Sequence, residues 1–169
     1  ALAVLDEFLA RLPKIDRVCL YAVDVQAKQL TKGFASVGSD NLKAGILTLK
    51  SRAPLGATDF PRALNAALKT IQKDRVCSIL YIGDGMSTAD LYQARDLKVV
   101  LAQLRDKHVP IHSYAVGPRT DLRMLGVLGQ HTGGLVVFDR GLQEHGKLVN
   151  SEPDIVATQL IAAVREPIY

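Results

Sequence analysis

No stretch of this chain approaches the ~20 consecutive apolar residues that a membrane-spanning helix requires, so membrane insertion is not expected. The given sequence shows no initiator Met, and no secretory leader is read within it. The chain opens directly on an amphipathic segment and reads as an excised piece, which leaves its compartment open. Cysteine is scarce, with only Cys19 and Cys77. Each sits within an apolar run that reads as a buried strand. Free buried thiols are the ordinary state there, with a disulfide as the alternative. Charge of one sign is not concentrated either: 21 Lys and Arg against 17 Asp and Glu leave a net +4. Lys28, Lys32, Lys43, Lys50, Arg52, Lys69 and Lys73 are scattered. Without a basic stripe interleaved with aromatics, nucleic acid is not an expected partner. A mildly basic solvated surface is the expectation.

What the chain does have is apolar substance and pattern. Its 169 residues suit one domain, and 48% hydrophobic residues allow a real core. Leu2, Leu5, Phe8, Leu9 and Leu12 recur at helical spacing until Pro13. The run 18–23 is almost wholly apolar, as in a parallel strand covered on both faces. Asp24 closes it, and after the polar turn 26–28 the segment 29–34 is placed as an antiparallel edge strand. Leu42, Ile46, Leu47 and Leu49 suggest a second helix. Pro61 and the stripe Ala63, Leu64, Ala67, Leu68 and Ile71 mark a third. Strands follow at 76–82, 110–116 and 135–138, separated by helical patterns through Leu97–Leu104 and Leu122–Leu128. Gly133 and Gly134 are expected to end the latter helix. Ser151 and Asp154 look like the start of a last helix carrying Val156, Leu160 and Val164. Only 139–150 lacks a pattern and is read as a surface loop. This alternation predicts an α/β fold: a doubly wound, mainly parallel sheet, helices on both faces, and one antiparallel edge strand.

In such open sheets, ligands bind beyond the carboxyl ends of the strands. Asp84 stands there, between Gly83 and Gly85, which permit a tight turn and close approach of a ligand. Thr58 lies on a loop before a helix. A carboxylate and a hydroxyl from two loops suit the oxygen shell of a small hard cation such as Mg²⁺. Each also has a plain alternative, as a turn residue or a helix cap.

Taken in order, four pieces resemble a von Willebrand factor type A (vWA) domain across nearly the whole chain. They are Thr58 in 56–59, the strand ending at 81–85, the segment 109–117, and Leu125 through Thr132-Gly133-Gly134. The resemblance implies a Rossmann-like fold and a non-enzymatic protein-binding or adhesion module. It implies a metal-ion-dependent adhesion site holding Mg²⁺ or another divalent cation, completed by a carboxylate of the protein ligand. It makes Thr58 and Asp84 metal ligands and Asp59, Gly85 and Ser87 rim residues. The departure is large. The family's Asp-x-Ser-x-Ser loop, carried after its first strand, occurs nowhere in this sequence. The expectation is therefore a single domain over 1–169, truncated at its N-terminus, whose cation binding is weak or absent as it stands. A central strand removed from a parallel sheet leaves two ladders of unpaired backbone groups, unless its neighbours close up.

Other chemistries fare worse. Gly83-Asp84-Gly85 with Asp90 is similar to a late element of haloacid-dehalogenase-like phosphatases, but Asp24-Val25-Gln26 lacks the second Asp of the nucleophile loop. The segment 141–147 matches most of a phosphate-binding loop, but Leu148 replaces the metal-binding hydroxyl. His108 and His112 flank Pro110 on a strand and do not share a helical face, so they make a poor zinc pair. A metal-free assembly scaffold of the same fold is the remaining binding alternative.

Overall fold

The computed structural model describes residues 1–52, 58–72, 75–86, 94–138, 142–144, 147–149 and 152–165, with side chains omitted at 94–96 and 142–149. In chain order the first elements are α1 (Leu2–Arg11), β1 (Arg17–Val18), β2 (Tyr21–Val23), β3 (Ala27–Gln29), β4 (Ala35–Ser36), α2 (Asp40–Ser51) and α3 (Phe60–Thr70). There follow β5 (Ile79–Gly83), α4 (Ala94–Asp106), β6 (Ile111–Ala115), α5 (Leu122–Thr132) and β7 (Val136–Phe138). The last are β8 (Leu142–Glu144), β9 (Lys147–Val149) and α6 (Pro153–Arg165). They form two compact units.

The first unit comprises Ala1–Arg11, Val76–Met86 and Leu104–Tyr169. Its centre is a parallel three-stranded sheet in the order β5-β6-β7. Ile79 stands opposite Ile111 and Ser113 opposite Val136. All five residues of β6 are buried. Both of its faces are therefore covered, as expected of a parallel strand flanked by crossover helices. Helices α5 and α6 pack against β6 and β7, and α1 packs along α6. Val4, Phe8 and Leu9 of α1 and Val156, Ala157, Leu160 and Ala163 of α6 form the buried stripes. Of the residues read from spacing, Leu2 is exposed and Leu5 and Val164 are half-buried. Helix α5 starts on Asp121, whose carboxylate accepts from Met124 N at 2.9 Å, and ends on Gly133 in the left-handed region at φ +77°.

Sheet pairing starts later than the apolar pattern suggests. Val76 is 95% exposed and the strand begins only at Ile79. The partner strand offers no donor at Pro110, whose carbonyl instead accepts from Ile79 N at 2.9 Å. Segment 139–150, read as a surface loop, contains an antiparallel pair, β8 with β9. Lys147 opens a strand rather than a helix, which removes the phosphate-loop reading. Ser151, the expected cap of α6, lies outside the described residues.

The second unit comprises Leu12–Arg75 and Ser87–Gln103. The single parallel strand expected over 18–23 is instead two short strands, each paired antiparallel: β1 with β4 and β2 with β3. Local hydrogen bonds decide this. Asp24 Oδ1 accepts from Gln26 N at 2.8 Å and Asp24 N donates to Gln26 O at 3.0 Å, which turns the chain back at once. The return strand is Ala27–Gln29, earlier than the 29–34 expected. Leu20 N donates to the buried Thr31 hydroxyl at 3.1 Å and Leu30 N to Leu20 O at 2.8 Å. Burial accordingly alternates, with Leu20, Ala22 and Asp24 buried and Tyr21 and Val23 half-buried. Cys19 and Cys77 are both free and half-buried rather than fully buried.

Candidate functional site

Asp84 follows directly on β5 at its carboxyl end. Its backbone is pinned on both sides. Gly83 O accepts from Val116 N at 3.0 Å, and Asp84 O accepts from Asp121 N at 2.7 Å. The carboxylate closes a local turn, with Oδ1 accepting from Met86 N at 3.0 Å. Gly85, buried, takes φ +75°, and a Cβ there would lie 2.8 Å from Leu125 Cγ. Both the backbone angle and the packing of α5 thus require glycine. Tyr81 reaches over the same turn, its hydroxyl accepting from Gly85 N at 3.3 Å. Burial pushes the Tyr81 phenol up to about 12, against a smaller lowering by the Gly85 bond and a further raising by the Asp84 charge. Tyr81 and Asp121 were not singled out by sequence. The signals were present, since Asp121 precedes an apolar helix as a cap does, and Tyr81 is the one phenol in the apolar run, three residues before Asp84.

In the other unit, Thr58 is half-buried immediately before the cap of α3. Asp59 is that cap. It is buried, accepts from Arg62 N at 2.9 Å through Oδ1, and meets Arg62 Nε at 3.5 Å through Oδ2. Asp59 N donates to Asp24 O at 3.0 Å, so the turn after β2 anchors the start of α3. Arg62 Nη1 donates to Val25 O at 3.2 Å, and Arg52 pairs closely with the buried Asp24 carboxylate. Asp59 is thereby committed to holding this turn.

The structure thus brings together Asp84 with Gly85 in one unit and Thr58 with Asp59 in the other. Ser87, along with the phosphatase-like Asp90, lies outside the described residues. Among the described residues no group of three or more His, Cys, Asp or Glu is gathered as a metal site would gather them. One carboxylate, with an oxygen already accepting from Met86, and one hydroxyl are by themselves too few donors for Mg²⁺. That ion demands a near-octahedral oxygen shell and gives up its water reluctantly.

Comparison with known proteins agrees with this architecture. The family model described as von Willebrand factor type A domain matches residues 1–138. Among solved structures, a von Willebrand factor type A protein from Catenulispora acidiphila superposes with a TM-score of 0.75 at 12% identity. The match covers 99% of this chain and 37% of that one, so the chain spans little more than a third of its relative's length. A serine-substituted aerotolerance-related membrane protein from Bacteroides fragilis superposes with a TM-score of 0.69 at 13% identity, covering 96% of this chain and 85% of that one. At such identities these likenesses carry the fold alone. No similar sequence is found among the curated proteins. The ordered motifs, the parallel sheet with its Asp84 turn, and the match over residues 1–138 together establish that the chain belongs to the von Willebrand factor type A domain family.

Proposed function

We propose that this domain is a non-enzymatic module that recognises another protein through the loops at the carboxyl ends of its parallel strands. The family match carries this reading, because vWA domains serve as interaction modules. The rigid presentation of Asp84, pinned through Asp121 and Val116, supports it locally. In the metal-dependent form of this function, Thr58 and Asp84 join an Asp-x-Ser-x-Ser loop around Mg²⁺ or another divalent cation. A carboxylate of the partner protein then completes the shell, and Gly85, Ser87 and Asp59 form the rim. A metal-free assembly role on the same fold is the second reading. The absence of the Asp-x-Ser-x-Ser loop from these 169 residues is the observation that favours it.

We further propose that the chain is one domain whose sheet takes another strand alongside β5. Among the described residues β5 pairs with β6 alone, and its apolar residues Ile79, Leu80, Tyr81 and Ile82 are all only half-buried.

The test is a calorimetric Mg²⁺ titration and a thermal melt, on the 169 residues and on a version extended through the natural coding sequence ahead of Ala1. The present chain is expected to bind Mg²⁺ weakly or not at all. An extension bearing Asp-x-Ser-x-Ser is expected to raise both Mg²⁺ affinity and Tm, with Asp84→Ala abolishing the affinity gain. Micromolar binding by the present chain, or an extension that changes neither quantity, overturns the metal and added-strand readings. An extension without that motif that still raises Tm favours the metal-free scaffold.

A further inference from the structure

The middle of the parallel sheet holds a titratable group that the Asp84 turn does not use. His112 lies on β6 and is 0% exposed. Its Nδ1 accepts from the backbone N–H of Leu135, 3.3 Å away, just before β7. Nδ1 therefore carries no proton and Nε2 carries it. Nε2 is buried without a hydrogen-bond partner among the described residues. The chain leading into β7 is fastened to β6 on either side of this contact. Ile111 N donates to Thr132 Oγ1 at 2.9 Å, and Ser113 N donates to Leu135 O at 2.8 Å. Of the three fastenings, only the one at His112 involves a group that titrates near neutrality.

Among the described residues no nearby charge is placed to compensate an imidazolium at that depth. The surrounding elements carry Asp6, Glu7 and Arg11 on α1, Tyr81 on β5, Arg105 and Asp106 on α4, Arg123 and His131 on α5, and Asp154 and Arg165 on α6. All are half-buried or exposed; the buried polar residues described in this unit are His112 and its neighbour Ser113. Burial alone holds the His112 pKa below the ordinary histidine value.

We propose that the contact between His112 and Leu135 is an acid-sensitive latch, whose protonation releases β7 from β6 while β5 and β6 stay paired. A proton on Nδ1 removes the acceptor that Leu135 N uses and sets two N–H groups against each other. It also leaves a charge buried and unpaired. The least costly relief lies on the β7 side. Among the described residues that strand pairs with β6 alone and has three residues, Val136 and Val137 half-buried and Phe138 41% exposed, whereas every residue of β6 is buried. Opening there exposes little additional apolar surface.

The opened state carries a histidine of ordinary pKa, about 6.5, and the closed state resists the proton. The opening equilibrium therefore grows as pH falls, by at most about tenfold at pH 5.5 and about 30-fold at pH 5, limits set by the open-state pKa of about 6.5. Amide hydrogen exchange followed by NMR from about pH 7.5 to about pH 5, corrected for the intrinsic pH dependence of exchange, reads this directly. Leu135 and Ser113 amides are expected to lose protection by up to those factors, while Ile79 and Val116 amides, which tie β5 to β6, keep theirs. His112→Asn keeps an acceptor oxygen near the Nδ1 position and cannot titrate, so its Leu135 protection is expected to be flat. The proposal is overturned if the two sets of amides lose protection together, if neither changes, or if His112→Asn behaves like the natural chain. Should that variant not fold, imidazole ¹⁵N signals of the natural chain decide. An imidazole that stays in its neutral Nε2–H form while the chain is closed, with Leu135 protection falling from about pH 6.5 downward, upholds the latch, and an imidazole that takes up its proton while Leu135 keeps its protection overturns it.

Discussion

Single residues set the tightest constraints where the backbone itself is the neighbour. A Cβ on Gly134 would overlap the carbonyl of Ile111, a group that cannot rotate aside. Gly134→Ala is therefore expected to cost about 3 kcal/mol, at the upper end of overpacking effects, as read by urea denaturation. A loss under about 0.5 kcal/mol would show that the turn into β7 slides easily. Tyr81 gives a pH signature. Its folded pKa of about 12 lies above the unfolded value of 10.0. The folded chain keeps this proton after the unfolded chain has lost it. The resulting stabilisation is present below about pH 10 and disappears as pH rises toward 12. Tyr81→Phe is expected to flatten stability over that range and to remove a phenolate absorbance step near 12. His112 works with the opposite sign. Its lowered folded pKa means that the unfolded chain binds the proton first, so stability falls as pH drops below about 6.5.

At the scale of elements, caps and turns do more than end helices. Asp121 caps α5 through its side chain and holds Asp84 through its backbone N–H. Asp121→Ala is expected to lower stability by about 1 kcal/mol and to speed hydrogen exchange at Met86, whose N–H bonds the Asp84 carboxylate. Asp121→Asn, which keeps the capping oxygen, is expected to restore most of both. A stability loss without faster exchange at Met86 would separate the cap from the site. Element types were legible where periodicity ran long: α1, α2, α3, α4 and α5 all form where helical spacing was read, although Leu2, Leu47 and Leu122 of those stripes are exposed. The segment 18–23 was misread because a short apolar run does not reveal its pairing partner. That choice was made by Asp24 and Thr31, two polar side chains whose hydrogen bonds turn the strand back on itself.

At the scale of the molecule, the vWA architecture persists at 12% identity to a structure with a TM-score of 0.75. The same scale bears on enzymology. Asp24 is tied to Arg52 and to Gln26 N, so the one strand-end aspartate weighed as a nucleophile already serves in the turn. The chain is expected to show no hydrolysis of a generic phosphomonoester with Mg²⁺ present. Turnover abolished by Asp84→Ala would overturn the binding-module reading.

The sequence by itself determined the α/β class, the order of helices and parallel strands after Ile79, and the prominence of Asp84 between its glycines. These are local properties: periodicity of burial, turn chemistry, and a polar residue at the end of an apolar run. Tertiary structure alone decided that Asp59 is committed to capping α3, that Tyr81 covers the Asp84 turn, and that His112 is sealed in the sheet with its ring nitrogen on Leu135. Each of the last two depends on which backbone comes within 3.3 Å of a side chain. For His112 that partner lies 23 positions away in the chain, a separation at which no spacing rule specifies who meets whom.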